Sequence, residues 1–164
     1  MEIITNPDIS LLDQVKMQAE VLVPVLRALR AELGATRANA IVIDALRAAA
    51  RERYRIAAAA QPGSPREQWA ALHAEGMPRI GQALDIQMLV QEAEAMEFDV
   101  TACRFAEFFR SIGEPELGAA LLCENDLHLA AIGAPDVELT RTETIMQGCR
   151  RCDFRYRFRL TGSD

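Results

Sequence analysis

The sequence predicts an α+β fold: an N-terminal helical hairpin and further helices, packed on a small antiparallel sheet formed mainly by a C-terminal hairpin. Three observations predict it. Apolar residues recur at steps of three and four through the first half, the period of one helix face. Residues 152–160 alternate strictly, with Cys152, Phe154, Tyr156, Phe158 and Leu160 on one face and Asp153, Arg155, Arg157 and Arg159 on the other. The stretch 137–146 is rich in Thr, Val and Ile, which suits a partner strand. With 164 residues, 50% hydrophobic and 26% charged, the chain has the size and balance of one folded domain. Residues 1–96 read as a mainly helical layer and 97–160 as the α+β part that carries the chemistry.

The first helix carries the stripe Leu11, Leu12, Val15, Ala19, Leu22, Leu26, Leu29 and Leu33. Asn6-Pro7-Asp8 supplies start signals and Gly34 a stop. Pro24 falls inside the stripe and predicts a kink, because it removes a backbone donor and crowds the preceding turn. A second helix is expected over 36–60, burying Ile41, Ala45, Ala48 and Ala49 against the first. Ser64-Pro65 with Glu67 forms a capping box for a third helix that ends near Pro78. A weaker periodic signal predicts another helix over 80–96.

After a short strand at 97–100, Thr101 is expected to cap a helix through Phe105, Phe108 and Phe109, stopped by Gly113. A short helix from Pro115 then delivers Cys123-Glu-Asn-Asp126, and residues 147–151 form the loop of the final hairpin.

The formal charge of −6 opposes general nucleic-acid binding, which starts from a positive field. The N-terminus lacks a basic start followed by an apolar run, and the apolar stretch at 21–25 is too short to span a bilayer. A cytoplasmic protein without membrane or nucleic-acid partners is expected, its four cysteines as thiols. The alanine-rich N-terminal helices suit either an intrachain hairpin or a homodimer.

The residue types that carry chemistry cluster late in the chain. Cys103 falls in the first turn of a predicted helix, where backbone N–H groups favour a thiolate; a packing cysteine fits equally well. Cys123 and Asp126, three apart near a helix end, suit a nucleophile with its base, or two metal ligands. Cys149 and Cys152 make a CxxC, but in a hairpin loop with no second pair, which favours coincidence of spacing. His128, near Asp126, reads as a surface histidine or a general base; His73 lies in an exposed-looking helix. Alternation accounts for Arg150, Arg151, Arg155, Arg157 and Arg159 as a face toward water or nearby acids, with Arg155 the one candidate for a substrate role.

Four segments in order carry a resemblance: Phe98-Asp-Val-Thr-Ala-Cys103-Arg-Phe-Ala-Glu107, then Leu117-Gly-Ala-Ala-Leu-Leu-Cys123-Glu-Asn-Asp126. Leu139-Thr-Arg-Thr142-Glu-Thr144-Ile-Met-Gln-Gly148 and Cys152-Asp-Phe-Arg155-Tyr complete the series. Together, with Gln18-Ala-Glu-Val-Leu-Val-Pro24, they resemble the L-2-amino-thiazoline-4-carboxylic acid hydrolase family over most of the chain. The resemblance implies ring-opening hydrolysis of a small heterocycle with an amidine-like C=N beside sulfur, and it maps the family's motif cysteines to Cys103, Cys123 and Cys152.

On that chemistry Cys123, Asp126 and Cys152 are the expected catalytic residues, and Cys103, Thr142, Thr144, Asp153 and Arg155 the expected substrate contacts. Cys123 would add to the amidine carbon, Asp126 would pair with the amidinium and activate water, and Arg155 would grip a carboxylate. No cofactor is expected; the alternative is zinc held by Cys103, Cys123 and Cys152 with Asp126 or His128. Strand parity sets Cys152 opposite Asp153 and Arg155, so both sets reach one pocket only across a bulge.

Overall fold

The computed structural model describes residues 9–159, so the start signals at Asn6-Pro7-Asp8 and the strand position of Leu160 lie outside the described residues. Helix α1 (Leu11–Leu33) begins where the Ser10 hydroxyl accepts from the Asp13 N–H at 3.1 Å. It runs through Pro24 without interruption, and Val15, Ala19, Val23 and Leu26 are buried. Gly34, at φ 80°, joins it directly to α2 (Ala35–Ala59), a conformation that glycine adopts without the usual Cβ clash.

The buried face of α2 differs from the predicted one. Ala38 and Ala50 are buried, with Val42 and Leu46 packed between them, whereas Ile41 is 48% exposed and Ala45, Ala48 and Ala49 face outward. Steps of four from Ala38 trace this face and extend it to Tyr54. Helix α3 (Pro65–Ile80) starts with the predicted capping box at Ser64 and Glu67 and continues two residues past Pro78.

The helix expected over 80–96 is not formed. Gly81, at φ 54°, closes α3, and the chain enters β1 (Leu84–Gln91), turns, and returns as β2 (Ala95–Cys103). Leu84, Ile86, Met88 and Val90 recur every second residue, a strand period that Leu89 obscures in the sequence. A register shift between Met88 and Val90 accommodates Leu89. The hairpin therefore supplies two strands of an antiparallel four-stranded sheet ordered β1-β2-β4-β3, with β3 (Val137–Thr140) and β4 (Cys152–Phe158) as the C-terminal pair.

Between the hairpins lie α4 (Arg104–Ser111), α5 (Pro115–Gly118), one π turn (Ala119–Cys123) and α6 (Asn125–Ile132). One apolar cluster joins α1 to α4 and α5 through Leu26, Phe105, Phe109, Leu117 and Met146. A second packs Trp69 of α3 and Ala130 of α6 on the sheet residues Phe98, Val100, Phe154 and Tyr156. His73, expected to be exposed and remote, stacks on Trp69 at 5.0 Å and meets Tyr156 edge-on at 6.2 Å.

The opposite sheet face is ionic. Arg155 binds Asp99 at 2.8 Å and approaches Glu97 at 3.5 Å, Arg157 binds Glu97 at 2.6 Å, and Arg151 binds Asp99 at 2.8 Å. The arginine stripe thus faces acids, as alternation implied. Among the described residues no helix is long and apolar enough to cross a membrane.

Candidate active site

The π turn and the loop after β3 bring distant parts of the chain together. A π turn inserts an extra residue into a helical path and so redirects the side chains at its end, here Cys123. The next residue, Glu124, is held by Arg47 of α2 through two bonds of 2.7 Å, and Asn125 accepts from Arg53 at 3.3 Å. With 124 and 125 tied to α2, Asp126 in the first turn of α6 meets Arg141, the residue that follows β3. Arg141 Nη1 donates to Asp126 Oδ2 at 2.7 Å and Nη2 to the Cys123 carbonyl at 2.9 Å. Its guanidinium lies 5.1 Å from the Phe154 ring centre, and only 7% of its side chain is exposed.

Arg141, Asp126, Cys103 and Cys152 all lie within electrostatic reach of the Cys123 thiol. Cys103 ends β2 and caps α4, its sulfur accepting from the Ala106 N–H at 3.4 Å. This corrects the expected cap at Thr101, which lies in the strand. Cys152 begins β4, and its sulfur accepts from the Ile145 N–H at 3.3 Å. Tyr54 of α2 and Tyr156 of β4 complete the cluster, both under the influence of Asp126.

Burial dominates the electrostatics. It pushes the Cys123 thiol up to about 12 against the pull of Arg141. Cys103 and Cys152 are also raised by burial, and the amide bonds to their sulfurs oppose this only in part. These are neutral thiols near neutral pH, so the thiolate expected at Cys103 from its helix position is outweighed by desolvation. Asp126 is pushed up by burial to about 6, with Arg141 holding it down. Its side chain nevertheless remains 35% accessible. A carboxyl that is partly buried, reachable by a small molecule and poised near neutrality suits proton transfer.

The remaining expected contacts lie elsewhere. The β2–β4 register runs without a shift from Ala95↔Arg157 to Val100↔Cys152, so no bulge turns Asp153 or Arg155 toward the cysteines. Asp153 accepts from the Thr142 N–H at 2.8 Å, the Thr142 hydroxyl at 2.7 Å and the Glu143 N–H. Burial alone would raise Asp153, but these bonds outweigh it and hold the carboxyl low. Residues 141–144 form a loop, not the expected strand, and Asp153 pins it behind Arg141.

Thr144 caps the following 3₁₀ turn and donates to Gln147 at 2.9 Å. Arg155 is committed to Asp99, Glu97 and the carbonyls of Phe98 and Phe154. His128 sits 6.5 Å from Tyr54, facing Glu124 and the arginines of α2, with its buried Nε2 unpartnered. Among the described residues no three His, Cys, Asp or Glu side chains are arranged to hold a metal ion, so the zinc alternative has no preformed ligand set there. All four cysteines are free, and Cys149 stands apart from the cluster.

Residues 14–156 match the model of the L-2-amino-thiazoline-4-carboxylic acid hydrolase family. The chain belongs to this family. None of the curated proteins compared with it matches.

In this family member Cys103, Asp126 and Cys152 lie within electrostatic reach of Cys123. Thr142 and Asp153 instead bond to each other beside Arg141, Thr144 caps a 3₁₀ turn, and Arg155 pairs with acids on the opposite sheet face. The sequence reading missed Arg141 and Tyr54 and gave Tyr156 no role beyond packing. Tyr156 was legible as an inward position of β4, and Tyr54 as the continuation of the Ala38–Ala50 face. Arg141 sits inside a recognised motif segment, but only its 7% exposure and its bond to Asp126 distinguish it from the surface arginines.

Proposed function

We propose that this hydrolase-family protein opens a small sulfur- and nitrogen-containing ring, a 2-amino-thiazoline-4-carboxylate-like cyclic isothiourea, by attack at the amidine carbon. The product is a carbamoyl-cysteine-type compound. The observation that carries the reading is the meeting of Asp126, near pH 6, with neutral thiols and one buried arginine. A protonated amidine is cationic, and this cluster offers it a partly buried carboxylate.

Asp126 takes the proton of the Cys123 thiol as sulfur adds to the amidine carbon. A ring bond to that carbon breaks, and the departing heteroatom receives the proton from Asp126. Water then adds to the same carbon, giving a proton to Asp126, and Cys123 leaves as a thiol with that proton. The sum is one water consumed per ring opened. A cationic substrate favours this sequence because its charge lowers the cost of forming a thiolate beside it.

A second reading has Asp126 activate water directly, with Cys123 lining the carbon. It is favoured by the Cys123 thiol being pushed up to about 12 by burial, which makes the thiolate rare.

The test is mass spectrometry of L-2-amino-thiazoline-4-carboxylate incubated with purified protein, with and without a chelator. A protein-dependent gain of one water supports ring hydrolysis. No change would overturn this substrate and turn the search to other heterocycles or to ligand binding without turnover. Loss of turnover with the chelator would replace the thiol and carboxylate schemes with a metal-assisted one. Denatured protein trapped during turnover separates the two readings: added mass on Cys123 supports the covalent route, and unmodified protein supports direct water attack.

A further inference from the structure

Arg141 has more donors than its surroundings use. Its hydrogen-bond partners are Asp126 and the Cys123 carbonyl, and among the described residues its buried Nε has no acceptor. Arg155, in contrast, distributes its donors over two carboxylates and two carbonyls. An arginine that is 7% exposed, with its guanidinium over the Phe154 ring, is costly to leave with one directly bonded carboxylate. When Asp126 takes up a proton, Arg141 loses the counter-charge bonded to it and keeps the field of Glu124, which is itself paired with Arg47. A second anion would answer both the charge and the remaining N–H groups, and guanidinium suits a carboxylate bound through two parallel hydrogen bonds.

We propose that Arg141 recognises the carboxylate of the substrate, and that in accepting it Arg141 loosens its hold on Asp126, so that binding itself prepares Asp126 for proton transfer. The identity of the substrate rests on the ring-hydrolysis reading above; anion binding by Arg141 does not.

The consequence for Asp126 follows from what faces it. Tyr54 comes from α2, Cys103 from the end of β2, Cys123 from the π turn, and Cys152 and Tyr156 from β4; burial keeps all of them neutral near neutral pH. Other charges reach this cluster at its margins, Glu124 through Arg141, Arg53 and Arg79 through Tyr54, and Glu107 through Cys103. Arg141 is the group that holds Asp126 down, through its charge and its hydrogen bond. A carboxylate drawn onto Arg141 removes part of that hold and adds a negative neighbour, so Asp126 rises from about 6 toward neutrality. A base works best when its pKa lies near the working pH, so a substrate with its carboxylate meets a better base than one without.

The competing site is a groove of about 630 Å³ lined by Leu11, Leu12, Ile80, Ala83, Arg79 and Arg104. Arg79 and Arg104 are exposed, where a single ion pair contributes little. Arg141 is enclosed beside the reacting groups and is favoured on that ground.

The experiment uses an unreactive probe, L-thiazolidine-4-carboxylate, which has the ring and carboxylate without the amidine, together with its carboxamide. Calorimetry on the whole chain compares wild type, Arg141→Lys, Arg141→Gln and Arg79→Gln. The acid should bind wild type at least about tenfold more tightly than the amide, a difference typical of a charged hydrogen bond gained or lost. Arg141→Gln should lose that advantage, Arg141→Lys should keep part of it, and Arg79→Gln should match wild type. Binding to wild type at about pH 6.5 should also take up protons, read from the dependence of the heat on the buffer.

Equal binding of acid and amide, no binding of the acid, undiminished binding by a folded Arg141→Gln, or loss in Arg79→Gln alone would each overturn the proposal. If the Arg141 variants fail to fold, wild-type proton uptake decides: uptake supports the proposal and its absence overturns it. Turnover is read separately. Arg141-dependent binding without ring opening would overturn only the ring-hydrolysis reading, and ring opening with an unchanged KM in Arg141→Gln would overturn only this one.

Discussion

Arg141 Nη1 and Asp126 Oδ2 lie 2.7 Å apart, yet burial leaves the carboxyl near 6, well above its ordinary value of 3.8. The bond secures the geometry without fully stabilising the charge. Removing water from a carboxylate costs more than one arginine returns, so the pair stays responsive to whatever enters beside it. Two short connections impose that arrangement. The Arg47–Glu124 pair fixes the end of the π turn, and the Asp153 carboxyl fixes the loop that carries Arg141.

The pH dependence of turnover should report Asp126. As a base it must be ionised, so kcat/KM, which reflects the free enzyme, should fall as pH drops below about 6. The midpoint for kcat should lie higher if bound carboxylate raises Asp126. A pH-rate profile flat from 5 to 8 would remove Asp126 from the proton-transfer role.

The same group carries a stability signature. Asp126 binds its proton more tightly in the folded state than in the unfolded chain, so its contribution is greatest below about 3.8 and is lost as pH rises through about 6. Thermal melts of wild type and Asp126→Asn across this range should show the wild type losing ground as pH rises. A constant difference would mean that Asp126 is no harder to ionise in the folded protein than in the unfolded one.

Asp153 should act on activity through position. Asp153→Ala leaves the Thr142 and Glu143 N–H groups without their acceptor and should destabilise the protein by about 1–2 kcal/mol, as expected for partly buried hydrogen bonds to a charged group. Turnover should fall because Arg141 loses its anchor, and Asp153→Asn should restore part of both losses. Denaturant melts and rates on the same samples test this. Full stability with abolished turnover would return Asp153 to direct substrate contact.

The cysteines should separate by position. Cys149→Ser should leave turnover near wild type, whereas Cys123→Ser should lower it by about a hundredfold or more if sulfur forms the adduct. A Cys123→Ser rate within about threefold of wild type would favour direct attack by water.

Packing beneath the π turn offers a check on the fold. A Cβ on Gly118 would lie 2.6 Å from Phe109 Cγ and 2.8 Å from Met146 Cε. Gly118→Ala should therefore cost about 1–3 kcal/mol through overpacking. Denaturant midpoints measure this, and an unchanged midpoint would show that the helical segment shifts freely.

The sequence made some elements far easier to read than others. Strict alternation exposed both faces of β4, and the Ser64–Glu67 box marked the start of α3, because each is a local pattern with one physical cause. The 84–91 strand was obscured by Leu89, which filled the polar slot of the alternation and imitated a helical stripe. The face of α2 was misread because its many alanines have nearly equal burial preference, leaving Val42, Leu46 and Tyr54 as the faint guide.

Cys103, Cys123, Asp126 and Cys152 were singled out through motif resemblance and residue chemistry, and the fold places Cys103, Asp126 and Cys152 within electrostatic reach of Cys123. Arg141 was not, because a buried arginine and an exposed one look alike in a sequence. Asp153 and Arg155 were expected at the substrate; in the fold they bond to Thr142 and Glu143 and to Asp99 and Glu97, on the face that strand parity had set opposite Cys152.

The most direct test of the central claim is the rate of water addition to L-2-amino-thiazoline-4-carboxylate by wild type and Asp126→Asn, purified side by side and matched for folding by circular dichroism. The cluster reading predicts turnover by wild type and a fall of at least about a hundredfold in the variant, the usual loss when a general base is removed. Turnover at equal rates by the two proteins would contradict it, and would place the chemistry outside the Asp126–Arg141 cluster.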